Sequence, residues 1–270
     1  MRHDSPLMLP IAKVTQENSS VKTFWFDFAL QSHPGQFVML WIPGVDQKPF
    51  SIAYDDGRRF GLSIFAVGPH SKKLFDHAVG ERVGVTGPYG NPFSVQKNRH
   101  YITVAGGYGA GPLGFLAERL EETCSTVDFC IGARTSDLLL FEKLAKKLSH
   151  VTVHVATDDG SRGHHGYVTD IVRELLEKKN KQKKDTILSA CGPELMEKAV
   201  LNLANEFNVD CDISIERYMK CGVGICGQCC VDDSGIRLCT EGPVVNRKTA
   251  NTIVEFGKYH RDKTGKKIDY

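Results

Sequence analysis

Short apolar stretches separated by turn residues dominate the first third of the chain. Proline, glycine and aspartate break the chain at short intervals there, and this close spacing predicts an antiparallel β-barrel. One stretch with helical periodicity, residues 71–78, interrupts the pattern. Five stretches have the length and the apolar pattern of β-strands: residues 21–28, 37–42, 50–54, 61–67 and 81–87.

The middle of the chain alternates between short β-like runs and longer amphipathic stretches. This alternation predicts a doubly wound parallel sheet with helices on both faces. The expected strands are residues 101–105, 127–132, 151–155, 186–191 and 211–215. The expected helices are residues 113–122, 139–148, 168–178 and 194–207.

The last segment is rich in glycine and cysteine and then becomes polar. It is too short to form a stable hydrophobic core without a bound metal, so a small metal-stabilised domain is expected there. Together the patterns predict three domains: residues 1–95, 96–209 and 210–270.

Composition and charge indicate an ordinary globular protein and argue against nucleic-acid-binding and membrane proteins. The chain has 270 residues, of which 41% are hydrophobic and 24% charged, as in ordinary globular proteins. A net charge of +2 argues against nucleic acid as a partner, and the basic run at residues 178–184 is expected to be a solvated helix end. The first ten residues lack a basic-then-apolar leader, and the most apolar long window, residues 101–117, contains five glycines and a proline. We therefore expect a cytoplasmic protein without a membrane span.

Six of the nine cysteines lie between Cys211 and Cys239. An odd total in a chain of this size is not typical of a disulfide scaffold, so the cluster is better interpreted as a ligand set. Four of the six follow the C-x4-C-x2-C pattern with a more distant fourth cysteine, which is typical of a plant-type [2Fe–2S] site. These predicted iron ligands are Cys221, Cys226, Cys229 and Cys239.

Two other interpretations of the cysteines stay open. A structural zinc site usually takes two short C-x2-C pairs, and only one is present here. Cys230 neighbours Cys229 and is an alternative ligand, although the x2 spacing favours Cys229. Cys124, Cys130 and Cys211 lie on or near apolar strands and are expected to be buried as small hydrophobic residues.

A glycine-rich loop follows the first strand of the predicted parallel sheet. Glycines at a strand-to-helix junction permit close approach of the backbone to a pyrophosphate, although a plain structural turn has the same composition. A second loop, at the end of the fourth strand, is expected to border the same crevice. Its Cys191 either packs at the strand end or contacts a nicotinamide. The predicted nucleotide-binding residues are Gly107, Gly109, Pro112, Cys191, Gly192 and Pro193.

The order of these motifs resembles the ferredoxin reductase superfamily. KPFSIA, at residues 48–53, resembles its R-P-x-S flavin motif, and residues 67–74 resemble the G-x-G-T segment that holds the flavin pyrophosphate. GPYGNPF, GGYGAGPL and CGP-x-x-M resemble further motifs of the same superfamily. The resemblance implies an FAD site formed by Lys48, Pro49, Phe50, Ser51, Ile64, Phe65, Ala66, Val67, His70 and Ser71.

The C-terminal cysteine motif indicates one group within that superfamily, and the resemblance to this group covers essentially the whole chain. The chain is similar to the electron-transfer subunits of NAD-linked, heteromeric dihydroorotate dehydrogenases. That similarity implies FAD, a [2Fe–2S] cluster and NAD(H) as cofactors, and a heterotetramer with an FMN-containing catalytic subunit. It also implies that electrons pass from NADH through FAD and the cluster to that subunit, without a catalytic side-chain constellation.

Some departures keep alternatives open. Lys48 stands where the motif has arginine, which replaces a bidentate phosphate contact by a point charge, and His70 and Ser71 replace Gly-Thr. Subunits of this kind also serve sulfide dehydrogenases, electron-bifurcating transhydrogenases and reductases that deliver electrons to ferredoxin. A zinc-binding module on a nucleotide-fold scaffold is the non-redox alternative.

The charges near the expected ribose site favour NADH over NADPH. In this topology, residues 133–137 and 157–162 lie nearest the adenosine ribose. They contribute three aspartates against Arg134 and Arg162. Carboxylates accept from a ribose hydroxyl but repel a 2′-phosphate, so we expect the unphosphorylated cofactor to be preferred.

Overall fold

The first third of the chain forms two four-stranded antiparallel sheets. In the computed structural model, which describes residues 3–178 and 185–270, their strand orders are β1-β8-β4-β5 and β2-β3-β7-β6. The strands are β1 (His3–Pro10), β2 (Lys13–Gln16), β3 (Val21–Phe26), β4 (Phe37–Ile42), β5 (Asp46–Ser51), β6 (Tyr54–Asp55), β7 (Phe60–Phe65) and β8 (Arg82–Tyr89).

Aromatic and aliphatic side chains from both sheets meet in a common core. Phe26 on β3 and Phe60 on β7 are fully buried, with ring centroids 4.9 Å apart. Alternate side chains of β3 and β7 enter this core, as the period of two requires: Phe24 and Phe26 on β3, and Phe60, Leu62 and Ile64 on β7. Helix α1 (Pro69–Phe75) adds Leu74 to the same core. The predicted antiparallel architecture of this region is confirmed.

A seven-stranded sheet follows, with the order β12-β11-β10-β9-β13-β14-β15. The chain builds outward from β9 in one direction and then returns to continue from β13 in the other. The topological switch point therefore lies between these two strands. The strands are β9 (His100–Gly106), β10 (Thr126–Ala133), β11 (Val151–Thr157), β12 (His164–His165), β13 (Thr186–Cys191), β14 (Asp210–Ser214) and β15 (Val244–Asn246).

Helices cover both faces of this sheet, as the doubly wound prediction requires. Side chains of α2 lie in the core on one face, whereas those of α4 and α5 lie in the core on the other. The helices are α2 (Ala110–Leu120), α3 (Glu142–Ala145), α4 (Val168–Lys178) and α5 (Glu194–Phe207). No helix in the described ranges is long and apolar enough to cross a membrane.

The C-terminal segment is tied to the parallel sheet. Its strand β15 pairs antiparallel with β14, and two short helices, α6 (Leu238–Glu241) and α7 (Arg247–Ala250), flank that strand. The chain ends in a hairpin of β16 (Tyr259–Arg261) and β17 (Lys267–Asp269). Since β14 and β15 both belong to the sheet, the sheet extends past the predicted domain boundary at residue 209.

Several predicted elements differ from those observed. The expected strand at residues 50–54 is divided between β5 and β6, and the expected helix at residues 139–148 is reduced to the four residues of α3. Two N-terminal strands, β1 and β2, lacked a clear pattern. Cys124 is exposed in a left-handed turn at a helix end, so the expectation of its burial is wrong. In the basic run, Lys178 ends α4, and residues 179–184 lie outside the described residues.

Candidate functional site

Two loops meet at the carboxyl edge of the parallel sheet. The first runs from β9 through the turn Gly107–Gly109 into α2, and the second joins β13 to α5. A side chain on Gly109 would place its Cβ 2.1 Å from the carbonyl oxygen of Cys191, so only glycine permits this approach of the loops. Because β9 and β13 flank the topological switch, the loops border the crevice in which such sheets bind ligands.

The six predicted nucleotide-binding residues all lie in these two loops or in the first turn of α2. Pro112 is the third residue of α2, where the absence of its N–H leaves no helix hydrogen bond unmade. The side chain of Cys191 is buried at the end of β13. Burial raises the pKa of the Cys191 thiol, which is therefore neutral at neutral pH. Its packing in the core agrees with a structural role and leaves its contact with a nicotinamide a prediction.

A buried carboxyl group lies directly beneath the second loop. The Glu197 carboxyl accepts a hydrogen bond of 3.1 Å from the backbone N–H of Gly192, and the residue is 1% exposed. Burial raises its pKa well above the ordinary value. The sequence analysis missed this residue, although one signal was available: it lies on the apolar face of α5 together with Val200 and Leu201.

Tyr108 occupies the middle of the first glycine loop and was also missed. Its ring lies nearly parallel to that of Phe65, with centroids 6.4 Å apart, and its hydroxyl donates to Glu216 Oε2 at 2.9 Å. Phe65 ends β7, within the predicted flavin segment. The nucleotide loop, the predicted flavin strand and the chain leading to the cysteines therefore meet at this tyrosine. An aromatic residue within a glycine-rich turn was the signal that could have found it.

The KPFS motif lies at the end of β5, paired with β4. The Lys48 ammonium forms an ion pair of 2.7 Å with Asp46 and donates to the hydroxyl of Tyr218 at 3.0 Å. Pro49, Phe50 and Ser51 are half-buried. A basic group held at the end of an edge strand, with half-buried neighbours, fits the phosphate-facing role that the resemblance assigns to it.

The second flavin segment changes from buried to exposed along its length. Ile64 lies in the core between the two sheets, so its side chain faces away from the outer surface. Phe65 and Ala66 are half-buried, and Val67 is exposed. Of the four predicted positions, the side chains after Ile64 are therefore those available to a ligand.

His70 provides the clearest sign of a missing partner in the flavin region. It is 4% exposed, and neither ring nitrogen has a well-aligned hydrogen bond among the described residues, although the backbone of Leu40 and Asp46 lies beside the ring. Its ring packs on that of Phe50 with centroids 5.7 Å apart. Burial lowers the pKa of His70, so a neutral imidazole with one N–H donor is expected at neutral pH. Buried unpaired donors are rare in native proteins, and a phosphate or ring oxygen of FAD would satisfy this one.

Ser71 already has partners within its own turn. Its hydroxyl accepts from the backbone N–H of Gly68 at 3.1 Å and lies 3.2 Å from the carbonyl oxygen of Gly68, to which it donates. The hydroxyl therefore caps the start of α1. A contact of Ser71 with a flavin pyrophosphate stays a prediction, whereas its structural role is visible.

Three of the four predicted iron ligands accept hydrogen bonds from backbone N–H groups. Val223 and Ile225 both donate to the sulfur of Cys221 at 3.4 Å. Gly224 donates to Cys239 Sγ at 3.2 Å, and the Cys239 amide donates to Cys229 Sγ at 3.4 Å. The positive φ of Gly224, +79°, is what turns this part of the backbone toward the sulfurs.

These hydrogen bonds change the chemistry of the thiols. Burial raises the pKa of Cys221, but backbone N–H groups, that of Cys226 first among them, outweigh this effect and lower the pKa to about 6. Cys221 is therefore largely a thiolate at neutral pH, the form that binds metal.

The four sulfurs lie as two pairs. The side chains of Cys221 and Cys226 interact with each other, as do those of Cys229 and Cys239. Each iron of a binuclear cluster takes two thiolates, whereas a zinc site gathers four ligands around one ion. The paired arrangement thus fits a [2Fe–2S] cluster better than zinc.

Comparison with known proteins identifies the same two functional regions. Residues 216–250 match the iron-sulfur cluster binding domain of dihydroorotate dehydrogenase B, and residues 103–202 match the oxidoreductase NAD-binding domain. A solved structure described as an NADH-dependent reduced ferredoxin-NADP oxidoreductase superimposes with a TM-score of 0.80. It is 25% identical, and the match covers 93% of each chain.

Curated relatives match over almost the whole length of the chain. One from Methanocaldococcus jannaschii is 42% identical over 99% of this chain and 100% of its own length. Another, from Methanothermobacter thermautotrophicus, is 39% identical over 98% of both chains. Both are named as probable electron transfer subunits of dihydroorotate dehydrogenase B (NAD(+)). The chain therefore belongs to the family of dihydroorotate dehydrogenase B electron transfer subunits, within the ferredoxin reductase superfamily.

Proposed function

We propose that this chain carries electrons between NADH and an FMN-containing catalytic subunit of dihydroorotate dehydrogenase, in pyrimidine biosynthesis. When bound, FAD interconverts a hydride and single electrons, and a [2Fe–2S] cluster carries those electrons one at a time. The task of the protein is to hold these groups close together and in order. Such a subunit would act in the cytoplasm, in a heterotetramer with its catalytic partner.

One observation carries this proposal. The segment that leads into the cysteine loop contacts both cofactor regions with residues two positions apart. Glu216 accepts from Tyr108 of the nucleotide loop at 2.9 Å, and Tyr218 accepts from Lys48 of the predicted flavin strand at 3.0 Å. Three residues later the chain reaches Cys221. A short path between nucleotide, flavin and cluster requires this kind of junction.

The proposed cofactor contacts follow from this geometry. FAD is held by the KPFS strand, by residues 64–67 and by His70 and Ser71. The nicotinamide lies against the two loops that meet at Gly109 and Cys191. The cluster is held by Cys221, Cys226, Cys229 and Cys239.

The cysteine loop also has a surface from which electrons can leave. Cys226 is exposed, and the neighbouring Ile225 side chain is 84% exposed, whereas Cys229 and Cys239 are buried. One sulfur pair therefore faces the interior and the other approaches solvent. We propose that the catalytic subunit docks over the exposed pair, covering Ile225.

Reconstitution with the catalytic subunit tests the function. The chain is purified anaerobically, alone and together with an FMN-containing dihydroorotate dehydrogenase catalytic subunit. We expect NADH-dependent reduction of orotate, and dihydroorotate-dependent reduction of NAD⁺, only when both subunits are present. A yellow-brown chain that reduces ferredoxin but never supports orotate reduction would contradict this assignment.

The structural match favours a second candidate. The matched oxidoreductase is described as acting in flavin-based electron bifurcation, so this chain could serve a ferredoxin-linked complex. Rates of NADH oxidation with ferredoxin and with NADP⁺ as acceptors distinguish the two functions. Faster turnover with these acceptors than with the orotate-reducing partner would support the second candidate.

A further inference from the structure

A buried cluster of three charged side chains lies behind the cysteine loop. The Arg217 guanidinium contacts the carboxylates of Glu194, at the start of α5, and of Glu255, in the C-terminal segment. The Arg217 Nε–Glu255 Oε1 distance is 2.8 Å. The three side chains are 3%, 6% and 2% exposed, in the order Arg217, Glu194 and Glu255.

Every carboxylate oxygen in this cluster has a hydrogen-bond donor. For Glu194, the Gly257 amide donates to Oε1 at 2.8 Å and the Tyr270 hydroxyl to Oε2 at 2.6 Å. For Glu255, the Asp232 amide donates to Oε2 at 2.5 Å. Donors on all four oxygens are the partners that carboxylates, which only accept hydrogen bonds, require. Two negative charges face one positive charge, so the cluster carries one uncompensated negative charge.

A hydrogen bond links that charge to the loop that carries the proposed iron ligands. Asp232, which donates to Glu255, belongs to the loop between Cys229 and Cys239. Ile253 and Phe256, on either side of Glu255 in the chain, share one buried core with both cysteines. Few water molecules can screen a charge in such surroundings, so its field is felt more strongly than that of a surface charge.

Two ion pairs near this loop are more exposed than the buried cluster. The Asp232 carboxylate accepts hydrogen bonds from Nε and Nη2 of Arg261 and from the Tyr259 hydroxyl. Arg237 pairs with Glu241 on the surface, where both side chains are about half exposed. Solvent screens such pairs, which leaves the buried group as the main source of fixed charge on this side of the loop.

We propose that Glu255 and Arg217 set the reduction potential of the [2Fe–2S] cluster, with Glu255 lowering the potential and Arg217 raising it. The step concerned is a one-electron reduction that breaks no bond, and the electron comes from NADH through FAD. A buried negative charge opposes the arrival of that electron, and a buried positive charge favours it. Each residue contributes a fixed buried charge, and neither binds the irons. The inference rests on the proposed cluster site.

Redox titration of the whole purified chain, followed by the electron paramagnetic resonance signal of the reduced cluster, tests the proposal. Glu255→Gln removes one negative charge at nearly constant shape, so the potential should rise. Arg217→Gln removes the positive charge, so the potential should fall. Arg217→Lys keeps the positive charge but loses the planar guanidinium that contacts both carboxylates. The reduction potential of the cluster in this variant should stay close to that of the wild type.

The decisive result is that Glu255→Gln and Arg217→Gln shift the reduction potential in opposite directions. Loosening of the structure alone would move the Glu255 and Arg217 variants in the same direction, and that result would overturn the proposal. An unchanged potential in Glu255→Gln would overturn it as well. If Arg217→Gln fails to fold, Glu255→Gln and Arg217→Lys decide the question.

A matched control exists on the surface. Between α4 and α5, the Arg173 guanidinium donates two hydrogen bonds to the Glu206 carboxylate, from Nη1 at 2.6 Å and from Nη2 at 2.8 Å. Both side chains are about half exposed. Arg173→Gln and Glu206→Gln should leave the potential unchanged. A wild-type chain without any cluster signal after reconstitution would contradict the proposed cluster site itself, which is a different failure from an unshifted potential.

Discussion

At the scale of single residues, two adjacent cysteines illustrate how position decides chemistry. Cys229 is 3% exposed, and its sulfur accepts the amide of Cys239 and interacts with the thiol of that residue. Cys230 is half-buried, and its backbone forms an isolated antiparallel bridge with Arg237. Only the first is paired in the way that a binuclear cluster requires.

Serine substitutions should separate these two cysteines. Serine at Cys221, Cys226, Cys229 or Cys239 removes a thiolate ligand, so the visible absorption and the electron paramagnetic resonance signal of the cluster should be lost. Cys230→Ser is the matched control and should keep both signals. Equal loss of signal in Cys230→Ser would contradict the ligand assignment.

The sequence identified local motifs more readily than long-range partners. Cysteine spacing is a property of one loop, so the ligand pattern is readable in the sequence. Glu194, Arg217 and Glu255 meet from three distant parts of the chain, and no spacing rule connects them. Charged residues are also expected on the surface, so their burial together cannot be inferred from pattern alone.

At the scale of elements, helix α1 shows a similar division. The predicted helix at residues 71–78 exists, but it begins with Pro69, because proline is well tolerated in the first turn and Ser71 caps the start. The periodicity therefore located the helix, whereas its start depended on capping contacts. His70 is buried by this earlier start, which aligns its ring with Phe50.

Replacing His70 should weaken FAD binding without unfolding the sheets. His70→Phe keeps an aromatic ring but removes the buried N–H donor, and loss of one hydrogen bond to a charged group corresponds to roughly tenfold weaker binding. Flavin release on dilution, measured by fluorescence, checks this. His77→Phe, on a half-buried residue just after α1 whose ring nitrogen lies 3.0 Å from the Lys73 carbonyl oxygen, is the control. Unchanged FAD retention in His70→Phe, or the extraction of FMN in place of FAD, would show that His70 does not contact the dinucleotide.

The loops after β10 and β11 form one rim at the expected ribose site. The amides of Asp158 and Asp159 donate to the carbonyl oxygens of Ala133 and Arg134, which holds the loops together. Arg162 is turned toward α3, where its guanidinium contacts Glu142 Oε1 at 2.8 Å. The residue best suited to pair a 2′-phosphate is therefore already engaged with a carboxylate.

The wild type should consequently prefer NADH over NADPH, and Glu142→Gln should reduce that preference. Releasing Arg162 makes a phosphate contact available, and since a partly exposed ion pair contributes about 1 kcal/mol, the gain for NADPH should be roughly fivefold. Stopped-flow reduction of the bound flavin at limiting nucleotide measures the ratio. Lys146→Gln, which removes the other cation on Glu142, is the control. Faster flavin reduction by NADPH than by NADH in the wild type would refute the charge argument.

At the scale of the whole molecule, the C-terminal segment joins regions that the sequence separates. It adds β15 to the parallel sheet, contacts the flavin strand through Tyr218 and contacts the start of α5 through Arg217. The sequence predicted the class of each region because strand and helix periodicities are local. It could not predict this joining, because the contacts depend on packing between segments more than 20 residues apart.

The buried Glu197 should make the stability of the whole molecule depend on pH. Burial raises its pKa in the folded state, whereas in the unfolded chain the carboxyl returns to its ordinary value of 4.5. The folded state therefore binds one more proton than the unfolded state above that pH. Its stabilising effect is complete below pH 4.5 and decreases as pH rises, by roughly 1.4 kcal/mol for each pH unit until the folded-state pKa is reached.

Glu197→Gln keeps the acceptor for the Gly192 amide but cannot ionise. Relative to the wild type, the variant should gain stability as pH rises above 4.5, and the difference in Tm measured with cofactors bound should widen with pH until the folded-state pKa is reached. Glu206→Gln, on the exposed face of the same helix, removes a carboxylate whose pKa the Arg173 side chain lowers, so its difference from the wild type should not widen in this direction. A constant difference in Tm between Glu197→Gln and the wild type would mean that Glu197 is ionised in the folded protein, with the Arg217 charge outweighing the effect of burial.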